Sequence, residues 1–139
     1  HGFISADVDW VDYSGARISS KDFDVDPDNF VIQDIYTSTI NYRLGGEGRI
    51  KNWRVRAGYA HMGDPFLSNT GLDQSSQQLS AGFGGQFKAI RVDFSLVSRS
   101  FTTVYRSYQV LDSNGFNYGP LTEIKNSITS AQVTVGVNF

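Results

Sequence analysis

The sequence predicts an all-β fold, an antiparallel transmembrane β-barrel represented by its last six strands, and three observations predict it. Apolar and polar residues alternate with period two along six segments. The connections between those segments sort into short and long, and the polar side of the segments carries charges of both signs. Successive side chains of a strand point to opposite faces, so each alternating segment has one apolar and one polar side.

The first segment sets Ile4, Ala6, Val8 and Trp10 against Ser5, Asp7 and Asp9. The second sets Tyr36, Ile40, Tyr42 and Leu44 against Thr37, Thr39, Asn41, Arg43 and Glu47. In the third, Trp53, Val55, Ala57 and Tyr59 oppose Arg54, Arg56 and Gly58. Leu79, Ala81, Phe83 and Phe87 oppose Gln78, Ser80, Gly82 and Gln86 in the fourth. The fifth places Ile90, Val92, Phe94 and Leu96 against Arg91, Asp93, Ser95 and Arg99, and the last Val133, Val135, Val137 and Phe139 against Gln132, Thr134, Gly136 and Asn138. Helical spacing is sustained nowhere.

A soluble sandwich would show the same alternation, usually in strands of about five or six residues. Ile35 to Ile50 and Ala89 to Tyr105 read as longer single runs, suited to a tilted membrane strand of about 9–11 residues that continues past the hydrocarbon. Lys51-Asn52 and Lys88-Ala89 read as tight turns, whereas 14–34, 62–76 and 106–126 are long polar links. With the short turns on one side, every long link falls on the other and the C-terminus returns to the short-turn side. That is the loop arrangement of an outer-membrane barrel, and a sandwich has no reason to sort its loops so.

Asp7, Asp9, Arg43, Glu47, Arg54, Arg56, Arg91, Asp93 and Arg99 share the polar side, with small Gly and Ser residues among them. Arginine forks pair well with carboxylates, so this set is expected to form a networked lumen wall. On the apolar side Trp10, Tyr13, Tyr36, Trp53, Tyr59 and Phe87 lie near strand ends, as interfacial aromatic girdles do.

Composition excludes several function classes. The 139 residues are 40% apolar and 19% charged with a net charge of −2, which offers no basic surface for nucleic acid. Cysteine is absent, so neither a disulfide framework nor thiolate chemistry is available. No apolar run approaches the ~18 residues of a membrane-spanning helix. Asp22, Asp24, Asp26 and Asp28 alternate in the first long link, but Pro27 and Gln33 stand where an EF-hand needs Gly and Glu, and the segment reads as a solvated acidic loop. His1 and His61 make no ligand set, and no G-x-S-x-G elbow occurs. The glycine clusters at 45–48 and 82–85 lie inside strands and are expected to permit bends or close side-chain packing rather than to bind phosphate. We therefore expect no enzyme activity, no cofactor and no metal.

Val133, Val135, Val137 and Phe139 end the chain on an aromatic at an apolar position. They resemble the C-terminal assembly signal that the barrel-assembly machinery recognises during insertion. In the last long link Tyr105, Tyr108, Phe116 and Tyr118 surround Asn114-Gly115. These aromatics have two readings, a surface that meets hydrophobic substrates or a partner, and a β-hairpin extending above the membrane.

The stretch YRLGGEGRIKNWRVRAGYAHMGDPF is the most specific part of a wider likeness. Asn41, Tyr42, Arg43, Gly45 and Glu47, then Val55, Arg56, Ala57, Gly58 and Tyr59, then Asp64 and Pro65 resemble the N-Y-R-x-G-x-E strand, short turn, V-R-A-G-Y strand and D-P loop of the long-chain fatty-acid transporter family of outer-membrane proteins. GFISADVDWVDYSGARI, LSAGFGGQFKAIRVDFSLVSRSF and the terminal VTVGVNF are similar to its neighbouring strands. The resemblance implies the last six strands of a fourteen-stranded barrel. The whole chain, 1–139, is then the C-terminal portion of one barrel domain, with the hatch, the lateral opening and the earlier strands upstream of His1. It also implies a location in the outer membrane of a Gram-negative bacterium, and passive uptake of hydrophobic molecules such as long-chain fatty acids or aromatic hydrocarbons. The partners so implied are hydrophobic small molecules, outer-membrane lipid and the assembly machinery. Two alternatives stay open: a barrel component of a protein-secretion system that shuttles other envelope proteins to the surface, and a small structural or adhesin-like barrel.

Overall fold

The computed structural model describes residues 1–67, 73–108, 110–111, 113 and 119–137. Six strands form one antiparallel sheet in strict sequence order: β1 (Gly2–Asp12), β2 (Ser38–Ile50), β3 (Trp53–Met62), β4 (Ser76–Phe87), β5 (Ile90–Arg106) and β6 (Leu121–Val137). The sheet is not closed, since β1 and β6 do not pair.

The register keeps one parity throughout. A single row of facing residues runs Asp7, Arg43, Ala60, Gln78, Arg99, Ile128, and another runs Gly48, Val55, Phe83, Phe94, Val133. Residues that share the charged side on one strand therefore stand beside residues of the same side on the next. A slip of one residue anywhere would turn a whole strand over.

The sheet is a single layer, and its burial is inverted relative to a water-soluble fold. The large apolar side chains are the exposed ones, with Ile4 at 89% and Leu79 at 62%, whereas Asn41, Glu47 and Ser76 are buried. Among the described residues Val25 is the one buried apolar side chain. No helix among them is long and apolar enough to cross a membrane.

Both short connections are two-residue turns, and in each the first residue, Lys51 or Lys88, takes a positive φ of 54° or 52°. Hairpins of this length need that left-handed position, usually filled by glycine, because a Cβ there costs about 1–2 kcal/mol.

The first long link departs from the expected solvated loop. It contains a helix, α1 (Asp26–Ile35), with Pro27 in its first turn and Asp26 and Asp28 beside the exposed N–H groups. Proline is pre-set for that position and carboxylates favour the positive end of the helix dipole. The helix ends on Tyr36, which bridges Phe66 of the next long link; their rings stack 5.2 Å apart. Strand β2 therefore begins at Ser38, not Ile35. In the last link β6 begins at Leu121, six residues earlier than expected, because its residues Leu121 to Asn126 continue the ladder with β5 up to Arg106.

Candidate functional site, a charged face bridged across a glycine strand

All nine charged residues expected on the polar side lie on one face of the sheet. Seven of them form two clusters. In the first, the Arg43 guanidinium on β2 donates to Asp7 at 3.1 Å and to Asp9 at 2.7 Å, both on β1.

The second cluster crosses four strands. The Arg56 guanidinium on β3 donates to Glu47 on β2 at 2.6 Å and to Asp93 on β5 at 3.0 Å. Arg49 closes on Glu47 from one end and Arg91 on Asp93 from the other. The result is a chain of alternating sign, Arg49–Glu47–Arg56–Asp93–Arg91. Glu47 keeps 5% of its side-chain surface and Asp93 14%. Carboxylates so enclosed need both charge and hydrogen-bond partners, and each has two.

Strand β4 lies between β3 and β5, so Arg56 must reach over it. Gly82 and Gly84 make that possible. A Cβ at Gly84 would stand 2.2 Å from the Asp93 carboxylate oxygen and 3.1 Å from the Val92 carbonyl. Gly82 lies directly opposite Arg56, where a Cβ would meet its Cβ and Cδ at 3.5 and 3.9 Å. The glycines thus clear a lane through which one arginine ties strands that are not neighbours. This is the close side-chain packing that was one of the two expected reasons for the cluster at 82–85.

The other two arginines of the set bind neutral partners. Arg54 donates to Gln86 at 2.9 Å, and Arg99 contacts the Ser76 hydroxyl at 3.4 Å while lying 5.4 Å over the Phe101 ring.

No family model, curated protein or solved structure matches the chain. The resemblance to the transporter family stands on the sequence motifs alone.

On the apolar face the aromatics pack against one another. Trp53 stacks on Phe83 at 4.9 Å and meets Phe87 edge-on at 5.2 Å, while Tyr42 stacks on His61 at 4.9 Å. The Nδ1 of His61 is enclosed without a hydrogen-bond partner. Val133, Val135 and Val137 lie on this face of β6, all exposed, beside the free edge of the sheet. Phe139 lies outside the described residues, as do Phe116 and Tyr118. Tyr105 lies one residue before the end of β5 on the polar-face parity and Tyr108 follows the strand; both are exposed, and neither joins an aromatic pair among the described residues.

Three features of the site were missed in the sequence. Arg49 belongs to the ion chain, and the period-two series from Asn41 through Glu47 would have found it. Lys51 and Lys88 occupy turn positions where glycine is normal, an anomaly visible without a structure. The third is a reversal of face. Beyond Val97, β5 and β6 put Ser98, Ser100, Thr102, Lys125, Ser127 and Thr129 on the side that is apolar elsewhere. Val97, Phe101, Ile124 and Ile128 turn to the side that is polar elsewhere. No bulge accompanies the change; the ladder is unbroken from Ile90–Val137 to Arg106–Leu121.

Proposed function

We propose that this chain is wall of a closed outer-membrane β-barrel that passes hydrophobic molecules, with the ion chain facing the lumen and the apolar face in lipid. The observation that carries the reading is the slant of the apolar belt. On β1 the belt runs from Ile4 to Trp10 and is centred on Asp7. The row of facing residues from Asp7 arrives on β6 at Ile128. The β6 belt, Ala131 to Val137, is centred on Thr134, six residues further along. Six residues rise about 20 Å and five strand spacings span about 24 Å, so a level belt requires strands tilted by roughly 40°. Membrane barrels tilt their strands by ~35–45°. A sheet built to expose its apolar face to one flat slab has reason to show this slant. A soluble sheet covered by another layer does not.

Lipid also accounts for the inverted burial. An apolar face this continuous would drive aggregation in water, whereas in hydrocarbon it costs nothing. The two open edges then need strand partners, because unpaired N–H and C=O groups cost several kcal/mol each in hydrocarbon. Closure by further strands supplies them.

The substrate class follows from the motif resemblance and from the split along the polar face. An apolar solute gains contacts with Val97, Phe101, Ile124 and Ile128 in the long-loop half. In the short-turn half it would meet the interlocked Glu47–Arg56–Asp93 wall, which offers it nothing. Such a path enters from the long-loop side and leaves this stretch of wall before the ion chain.

The test has two readouts. Folded protein should migrate differently on gels before and after boiling, as closed barrels do. Cells lacking it should take up a radiolabelled fatty acid more slowly and be restored by the intact gene. Heat-insensitive migration would end the barrel reading, and unaltered uptake with a heat-modifiable protein would end the substrate assignment alone.

A further inference from the structure

At the short-turn end the two hairpins β2–β3 and β4–β5 enclose a concavity of about 340 Å³ lined by Arg49, Lys51, Asn52, Arg54, Gln86 and Lys88. Four of these six side chains are cations, and the other two are amides able to donate hydrogen bonds. We propose that this concavity is a binding site for a phosphoryl oxyanion.

Three of the four cations here lack an ionic partner among the described residues, and two of them sit on strained backbone. Arg49 and Arg54 stand directly opposite each other across β2 and β3. Like charges in that position repel. The one carboxylate touching the lining, Glu47, is shared between Arg49 and Arg56. Among the described residues Lys51, Arg54 and Lys88 have no ion-pair partner. Both lysines, moreover, hold the left-handed turn positions, where glycine or asparagine would form the same turn with less strain. Two separate hairpins make the same strained choice and place the cations around one cavity.

A phosphoryl group resolves these conflicts together. It carries nearly two negative charges and three acceptor oxygens, enough to engage two guanidinium forks and two ammonium groups at once. A lone carboxylate offers half the charge and fewer acceptors. The backbone N–H of Gln86 donates to the backbone carbonyl of Asn52 at 2.9 Å and so ties the first turn to β4, which holds the donors together. The site is built from two adjacent hairpins and does not depend on closure of the barrel.

The phosphoryl group can come from solution or from a phosphomonoester lipid headgroup at the rim, and the experiment separates the two. Pyrophosphate is titrated calorimetrically into the folded protein in a phosphate-free zwitterionic detergent, then into protein in phosphatidylcholine vesicles with and without phosphatidic acid. Binding in all media identifies a soluble phosphate ligand. Binding abolished by phosphatidic acid identifies a headgroup as the occupant. The double variant Lys51→Asn/Lys88→Asn removes two cations while easing both turns, so it folds at least as well as the parent; its affinity should fall by roughly tenfold or more. Lys51→Arg/Lys88→Arg should retain binding, and Lys125→Asn, on the distant β6, should leave it unchanged. No pyrophosphate heat in any medium would overturn the proposal. So would a Lys125→Asn loss equal to that of the double variant, which would reduce the effect to overall charge.

Discussion

The short-turn (lower) and long-link (upper) halves of β5–β6 share one ladder and one register. Yet the face that carries the apolar belt, the outer side of the proposed barrel as against the charged inner side, changes its chemistry between them. Between Ile90 and Leu96, and between Ala131 and Val137, apolar side chains point to the outer side and Arg91, Asp93 and Thr134 to the inner. Above Val97 the outer side becomes mostly polar, with Ser98, Ser100, Thr102, Ser127 and Lys125, although Val104 and Leu121 stay there. The inner side takes Phe101, Ile124 and Ile128 beside Arg99. Backbone geometry cannot explain this, since the backbone does not change. What changes under the barrel reading is the medium, from hydrocarbon to water, and side-chain polarity follows it. The same reading accounts for the 17-residue length of both strands, with about ten residues assigned to the bilayer and the rest to the space above it.

The largest effect should come from placing a charge on the outer side of each half. Phe94 lies within the belt row Val55, Phe83, Phe94, Val133. Phe94→Arg should cost about 2–4 kcal/mol, the figure for arginine at the bilayer midplane. Ser100→Arg has the same parity on the same strand and should cost less than ~0.5 kcal/mol, as a surface substitution does. Urea-induced unfolding in phospholipid vesicles measures both. Equal losses would mean that both halves meet the same medium, and the comparison would collapse.

A smaller effect separates glycines within the lower half. Gly84→Ala drives a methyl group into the Asp93 carboxylate, which Arg56 and Arg91 hold in place, and against the Val92 carbonyl. Overpacking of this kind costs about 1–3 kcal/mol. Gly48→Ala meets nothing within 4 Å and should be neutral or mildly stabilising. The same unfolding assay, paired with the single substitution Asp93→Ala in the Gly84→Ala background, checks the mechanism. If the clash is with Asp93, the two losses will not add.

The sequence made these halves legible to different degrees. Alternation placed all nine charged residues on one face correctly, because a period-two pattern carries its own parity and needs no partner strand. It could not show that Arg56 bypasses β4, since that contact depends on the register of three strands at once. The helix α1 was missed for a local reason. Its N-cap is Val25, with no side-chain cap, and its apolar residues Phe30, Val31 and Ile35 are exposed, so neither a capping signal nor a buried stripe marks it. The start of β6 was set six residues late because Glu123, Lys125 and Asn126 read as loop; they are strand residues in register with β5. Reading 89–105 as a single run was nearly right for length, but the serines at 98 and 100 already announced the change of face.

The finest test compares two aliphatic residues on β6 with similar accessibility. Val133 is 65% exposed on the outer side of the lower half, and Ile128 is 54% exposed on the inner side of the upper half. By accessible area alone, replacing either with serine should have much the same effect, and the larger isoleucine should lose slightly more. The medium reverses that order. A serine hydroxyl at 133 enters hydrocarbon, where an unpaired hydroxyl costs about 1–3 kcal/mol. At 128 the hydroxyl is hydrated, and only the covered half of the isoleucine surface is lost, about 1 kcal/mol at most. Val133→Ser should therefore destabilise more than Ile128→Ser in vesicles. Thinner bilayers should leave the Ile128 value unchanged. If the order follows side-chain size instead, the change of face reflects packing within the protein and not a boundary between lipid and water.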